Sequence, residues 1–281
     1  MLKQRIITAL LLLAVLLPAV FYPVPEVFAL VALILIGAAA WEWARMNQCG
    51  QASSLVAGGV CVFMCAASWL GGGLYAPLKI LWIFAGSAWV VLGAWLLYRG
   101  VAVWTHVPRV VRLVGGIFAL WVAWIAVVQA RIMGINFLFS VLVLVWVADI
   151  FAYFAGRALG GRFFTRKLAP TISPGKTWEG AIGGMAGVVA CAFLWRYLDS
   201  AYAVDVASLY TRLGDNHITF MVLASLFLAT MSVVGDLVES LFKRSAGVKD
   251  SSGLLPGHGG VLDRVDALLP ILPLAMMLGT L

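Results

Sequence analysis

Ionisable residues are scarce in this sequence. Its 281 residues include 12 Asp and Glu, 19 Lys and Arg and 3 His, so only 11% of the chain is charged. Soluble domains carry nearer ~25%, and the shortage excludes a large extramembrane domain. Low-complexity tracts and tandem repeats are also missing. Cysteine is sparse too: Cys49, Cys61, Cys65 and Cys191 form no C-x-x-C pair, so neither a disulfide framework nor a zinc site is implied. Cys61 and Cys65 fall on one helical face and are expected to pack.

Apolar runs fill the space. The chain is 63% hydrophobic, and several runs approach the ~20 residues that cross a bilayer. The expected class is an all-α polytopic integral membrane protein with about nine spans. These run over 6–22, 27–43, 55–70, 80–97, 113–128, 135–155, 180–195, 218–238 and from about 263 to the end. Lys3 and Arg5 ahead of the first run imitate a signal peptide, but no small-residue cleavage site follows, and the run reads as a retained helix. Fifteen Lys and Arg fall in alternate loops that share a side with the N-terminus, against Lys79, Arg131, Arg196 and Arg212 on the other. The positive-inside rule then puts the N-terminus in the cytoplasm and, with an odd number of spans, the C-terminus outside. The basic pI near 9.5 fits a membrane surface and anionic substrates better than nucleic acid, because the cations are dispersed in short loops.

The apolar pattern breaks most sharply between Asp236 and Asp266. Five of the twelve carboxylates and four cations gather there, with five glycines between Gly247 and Gly260. Ionisable groups beside membrane are costly and mark function by default. Asp236, Glu239, Ser240 and Lys243 share one face at the end of a helix. Two carboxylates and a hydroxyl there suit Mg²⁺, a hard cation that prefers oxygen ligands. Asp263 and Asp266 sit in the first turn of the last helix, where helix capping is the bland alternative. The glycine-rich loop is long enough to bring Asp263 towards Asp236. Lys243, Arg244, Lys249 and Arg264 would then bind phosphate oxygens. His258, between two glycines, suits a phosphate donor or a loop-shaping role better than metal ligation.

A second constellation runs Thr171-Ile-Ser173-Pro-Gly175-Lys176-Thr177-Trp-Glu179-Gly180. Gly175-Lys176-Thr177 imitates the end of a Walker A motif, but Pro170 stands where the first glycine belongs and no strand precedes it. The P-loop reading fails; an anion site at a helix N-terminus remains. Asp149, Tyr153 and Arg157 form a third group on one helical face, as an ion pair or as part of the chemistry.

Residues 240–266, from Ser240-Leu-Phe-Lys243-Arg244 through Lys249-Asp250 to Pro256-Gly-His258-Gly259-Gly260-Val-Leu-Asp263-Arg264-Val-Asp266, resemble the signature of the phosphatidate cytidylyltransferase (CDP-diacylglycerol synthase) family. Ser173-Pro-Gly-Lys176-Thr177-Trp-Glu-Gly is similar to a second family motif, with Gly175 where a lysine is common. Asp149 through Arg157 is similar to a third. The likeness covers roughly the C-terminal half, which divides the chain into N-terminal transmembrane helices (1–130) and a catalytic region (131–281) with cytoplasmic loops at 156–179 and 239–263.

The resemblance implies a multi-pass enzyme of the bacterial inner membrane that converts CTP and phosphatidic acid to CDP-diacylglycerol and pyrophosphate. It implies Mg²⁺, with K⁺ as a candidate second ion, and a homodimer among membrane lipids. Asp236 and Asp263 are the implied metal ligands, with Glu239 beside them. Asp236, Asp263, Asp266, Lys243 and Arg264 are the expected catalytic set. Ser173, Lys176, Thr177, Ser240, Arg244, Lys249, Asp250, His258, Gly259 and Gly260 are the expected binding set. The lipid phosphate is already an anionic nucleophile, so no strong general base is required, and neither a Ser-His-Asp nor a Cys-His arrangement is needed. Two rivals are a CTP-dependent transferase for another lipid acceptor and a transporter of anionic solutes. Transporters tend to bind at midplane and to carry inverted repeats; here the charges gather at one face without a repeat.

Overall fold

A computed structural model describes residues 2–280. Helices α1 (Leu2–Phe21), α2 (Pro25–Met46), α3 (Gln51–Leu70) and α4 (Lys79–Arg99) come first. A short α5 (Val101–His106) leads to α6 (Arg109–Met133), α7 (Ile135–Leu159) and α8 (Trp178–Ala201). A second short helix, α9 (Leu209–Asn216), precedes α10 (Ile218–Ser245), α11 (Leu262–Val265) and α12 (Leu268–Gly279). Among the described residues, eight of these helices are long and apolar enough to cross a membrane. Local chemistry sets their ends. Pro25 opens α2, where its missing N–H costs nothing. Thr177 caps α8 by accepting the Gly180 N–H at 3.0 Å.

The ninth expected span takes a different form. The segment from Leu262 is a helix broken at Asp266–Ala267, because Pro270 has no N–H to return to the Asp266 carbonyl. α12 has 12 residues, about 18 Å of helix, and it is buried among α4, α6 and α10 rather than facing lipid. It still runs the depth of the bundle, since Gly279 reaches Phe137 and Leu209 at the opposite end. Neither α5 nor α9 is visible in the hydropathy pattern, because both are short.

The long helices alternate in direction, which gives the bundle two ends. At one end Thr8 Oγ1 donates to the Pro256 carbonyl and Arg109 donates to the Gln48 carbonyl. At the other, the buried Arg131 guanidinium donates to the carbonyls of Val20 and Tyr22, which closes α1 against α6. Both motif loops, 160–177 and 246–261, lie at the first end. The halves of the chain are interlocked: α12 packs on α4 and α6, so one apolar core runs through both. Cys61 and Cys65 are fully buried in it. Helix α8 lies against α7 along a seam of small residues. A Cβ added at Gly183 would come 2.2 Å from the Ala155 Cβ, and one at Gly184 would come 2.7 Å from the Ala148 carbonyl. That close approach brings Lys176 alongside Asp149 and Asp236.

Candidate active site

A cavity of about 650 Å³ opens between α7, α8 and α10. Asp149, Tyr153 and Arg157 line it from α7, Gly175, Lys176 and Thr177 from the loop before α8, and Asp236 from α10. Lys176 Nζ forms an ion pair with Asp236 Oδ2, joining two motifs 60 residues apart in sequence. Ser240 Oγ donates to Asp236 Oδ1 at 3.3 Å. Asp266, at the break between α11 and α12, lies within electrostatic reach of both Asp236 and Asp149. The Arg157 guanidinium donates to the Tyr153 hydroxyl at 2.9 Å. The helical spacing alone would have allowed Arg157 to pair with Asp149 instead. The outer face of α7 beside this cavity exposes Trp146, Ile150, Phe151 and Phe154, a surface suited to lipid chains.

One helical turn further along α10 lies a second cluster. Lys243 Nζ pairs with Glu239 and with Asp263 Oδ1, the latter at 2.7 Å. Asp263 Oδ2 accepts the backbone N–H groups of Gly260 and Ser251 at 2.7 and 2.8 Å and the Ser251 hydroxyl at 2.8 Å. Burial works against the charged form of Asp263, but Lys243 and the donors of Gly260 and Ser251 outweigh it and hold its pKa down to about 2. The polar face of α10 is therefore divided. Asp236 and Ser240 serve the cavity, whereas Glu239 and Lys243 bind the start of α11.

The remaining expected residues divide between shaping and exposure. Thr177 Oγ1 is engaged as the cap of α8. Ser173 closes the tight turn 169–173 through its backbone N–H. Arg244 Nε donates to the Ile172 carbonyl at 3.3 Å, tying the two motif loops together. Arg264 donates to the His258 carbonyl at 2.8 Å, and the His258 N–H closes a turn on Leu255. Gly259 adopts φ +82°, and Lys249 and Asp250 are exposed at the loop tip.

Sequence reasoning assigned no role to two buried glutamates, Glu42 and Glu179. Glu179 Oε1 accepts the N–H groups of Gly161, Phe163 and Phe164 at 3.0–3.1 Å, which folds the loop after α7. Glu42, on α2, does the same for the other loop. A carboxylate next to an apolar run was the available signal for both.

The second cluster is paired within itself, whereas the cavity leaves its carboxylates and its lysine open to one side. The cavity offers carboxylate oxygens for a hard cation and an ammonium for phosphate. Residues 3–281 match the model of the cytidylyltransferase family. The chain is 36% identical to the phosphatidate cytidylyltransferase of Haemophilus influenzae, with 97% of this chain and 96% of the relative covered. It is 38% identical to the enzyme of the same name from Pseudomonas aeruginosa, covering 97% and 95%. A Bacillus subtilis phosphatidate cytidylyltransferase is 40% identical over 50% of this chain and 46% of its own length. By both the family model and these full-length likenesses, the chain belongs to the cytidylyltransferase family.

Proposed function

We propose that this protein transfers the cytidylyl group of CTP to phosphatidic acid, releasing pyrophosphate and forming CDP-diacylglycerol. The observation that carries the reading is the cavity in which Lys176, Asp236 and Asp149 converge beside the lipid-facing surface of α7. Acyl chains can stay in the bilayer while the phosphate headgroup reaches polar side chains. CTP enters from water at the end of the bundle that carries both motif loops. The positive-inside bias makes that end cytoplasmic, in a bacterial inner membrane.

Mg²⁺ is the metal of this proposal. Asp236 and Asp149 line one cavity with Lys176 and Arg157, with Asp266 near them, and carboxylate oxygens are the donors a hard divalent cation prefers. Asp236 and Asp149 would hold the ion. Asp263 has both oxygens committed to Lys243 and the loop donors, so in this arrangement it shapes the site rather than opening to it. When bound, the metal supplies charge neutralisation for the triphosphate. K⁺ is the proposed second ion once CTP adds its own charge.

The chain's own residues do the rest. Lys176 pairs with phosphate oxygens when substrate displaces it from Asp236. Arg264, Arg244 and Lys249 add positive charge at the loop where pyrophosphate leaves. The lipid phosphate attacks the α-phosphorus in line, and the bond to pyrophosphate breaks. Catalysis is then positioning and electrostatics, without a side-chain nucleophile. A homodimer in the membrane is part of the same proposal.

The test uses purified protein in detergent with Mg²⁺, labelled CTP and phosphatidic acid. Label in lipid and free pyrophosphate, both dependent on phosphatidic acid and both abolished by EDTA, are expected. Folded protein that produces neither, with Mg²⁺, K⁺ and lipid present, would exclude the reading. Transfer to a different lipid acceptor only would favour the related transferase.

A further inference from the structure

Glu42 lies outside every motif that carries the family likeness. It is fully buried near the end of α2, in the half of the chain without the signature. Its carboxylate accepts the Val261 N–H at 3.0 Å, the Leu262 N–H at 2.8 Å and the Ser252 hydroxyl at 2.5 Å, and the Ser251 hydroxyl lies 3.2 Å away. Two carboxylate oxygens offer about four acceptor positions; Val261, Leu262 and Ser252 fill three, and the fourth faces the Ser251 hydroxyl, whose one proton is shared with the nearer Asp263. All four come from residues 251–262, the loop and the first residue of α11; none comes from α1, α3 or α6, the long helices that α2 packs against. An apolar side chain would serve α2 as well, so the carboxylate is there for the loop.

The loop is shaped to match. A Cβ at Gly260 would stand 2.4 Å from Glu42 Oε1 and 2.1 Å from Ser251 Oγ, so only glycine lets the chain pass over the carboxylate. The Ser251 hydroxyl also lies 2.8 Å from Asp263 Oδ2. One hydroxyl therefore separates Glu42 from Asp263.

We propose that Glu42 is a positioning residue for cytidylyl transfer. From the N-terminal half it fixes the start of α11, and with it the placement of Asp263, Arg264 and Asp266. The proposal rests on the functional reading above. Glu42→Gln keeps the volume but replaces one acceptor oxygen with a donor NH₂, which opposes the Val261 and Leu262 amides or the serine hydroxyls.

Full-length Glu42→Gln and wild-type protein, purified in lipid-supplemented detergent, are compared by steady-state kinetics and by hydrogen exchange. The expected kcat falls about 100-fold, the scale of a misplacement near 1 Å at a reacting site. KM for CTP and lipid changes by less than about threefold, which marks a loss felt in the transition state rather than in substrate binding. Exchange at the Val261 and Leu262 amides quickens at least about tenfold while the transmembrane helices stay protected. Unchanged kcat with unchanged exchange overturns the proposal. So does an activity loss that follows exchange rising throughout the protein, which is the mark of a purely structural role. Should Glu42→Gln not fold, Ser252→Ala decides, because it deletes one donor from a half-buried side chain. A kcat about threefold lower with faster exchange at Val261 and Leu262 supports the proposal, and wild-type values overturn it. A wild-type protein without transfer activity would defeat the functional reading alone, and exchange at the same two amides would still test the anchoring.

Discussion

Asp236 and Asp263 have the same expected role, yet their surroundings differ. Asp236 faces a cavity with one flexible cation and one weakly held hydroxyl as partners. Asp263 is gripped on both oxygens by Lys243, two backbone N–H groups and a serine. An open carboxylate can exchange its lysine for substrate and metal, whereas a saturated one sets the shape of the chain around it. Chemistry and architecture sit one helical turn apart on α10, and substitution can separate them.

The largest effect expected is on turnover. Asp236→Asn should lower kcat at least about 1,000-fold, the upper range for losing an electrostatic stabiliser, and leave the melting temperature unchanged. Asp263→Asn should also lose turnover, and in addition lose about 2–3 kcal/mol of stability, because an amide cannot replace a charged acceptor of several bonds. Equal melting temperatures for the two variants would erase the distinction between them.

Lys243→Met sharpens the contrast from the other side. It strands Glu239 and Asp263 without their cation in a buried setting, and thermal or denaturant unfolding should register a loss of about 3–5 kcal/mol. Lys176→Met removes the corresponding cation from the cavity, where Asp236 remains solvated. Its expected cost is about 100-fold in kcat/KM for CTP, with little change in unfolding. A stability loss in Lys176→Met as large as that in Lys243→Met would mean the cavity pair is structural as well.

The sequence made much of this legible, for identifiable reasons. Eight spans follow from hydropathy because each helix buries or exposes apolar residues over its full length. The ninth takes a broken form because Pro270 divides α11 from α12, and its burial among α4, α6 and α10 requires the same apolar residues as contact with lipid. The meeting of Lys176 with Asp236 could not be read from spacing, since it depends on how closely the glycine seam lets α8 approach α7. Helical spacing did place Asp236, Glu239, Ser240 and Lys243 near one another. It could not show that Lys243 turns to α11 while Asp236 turns to α8. Glu42 and Glu179 were given no role because most of their partners are backbone N–H groups, which residue types do not reveal.

One measurement tests the central claim, that cytidylyl transfer occurs in the cavity around Asp236 and Lys176. Wild-type and Asp236→Asn proteins, each shown to be folded by the same melting curve, are given labelled CTP, phosphatidic acid and Mg²⁺, and label is followed into lipid. Transfer by the wild type and none above background in the variant is the expected result. Undiminished transfer by Asp236→Asn, or no transfer by the wild type, would contradict it.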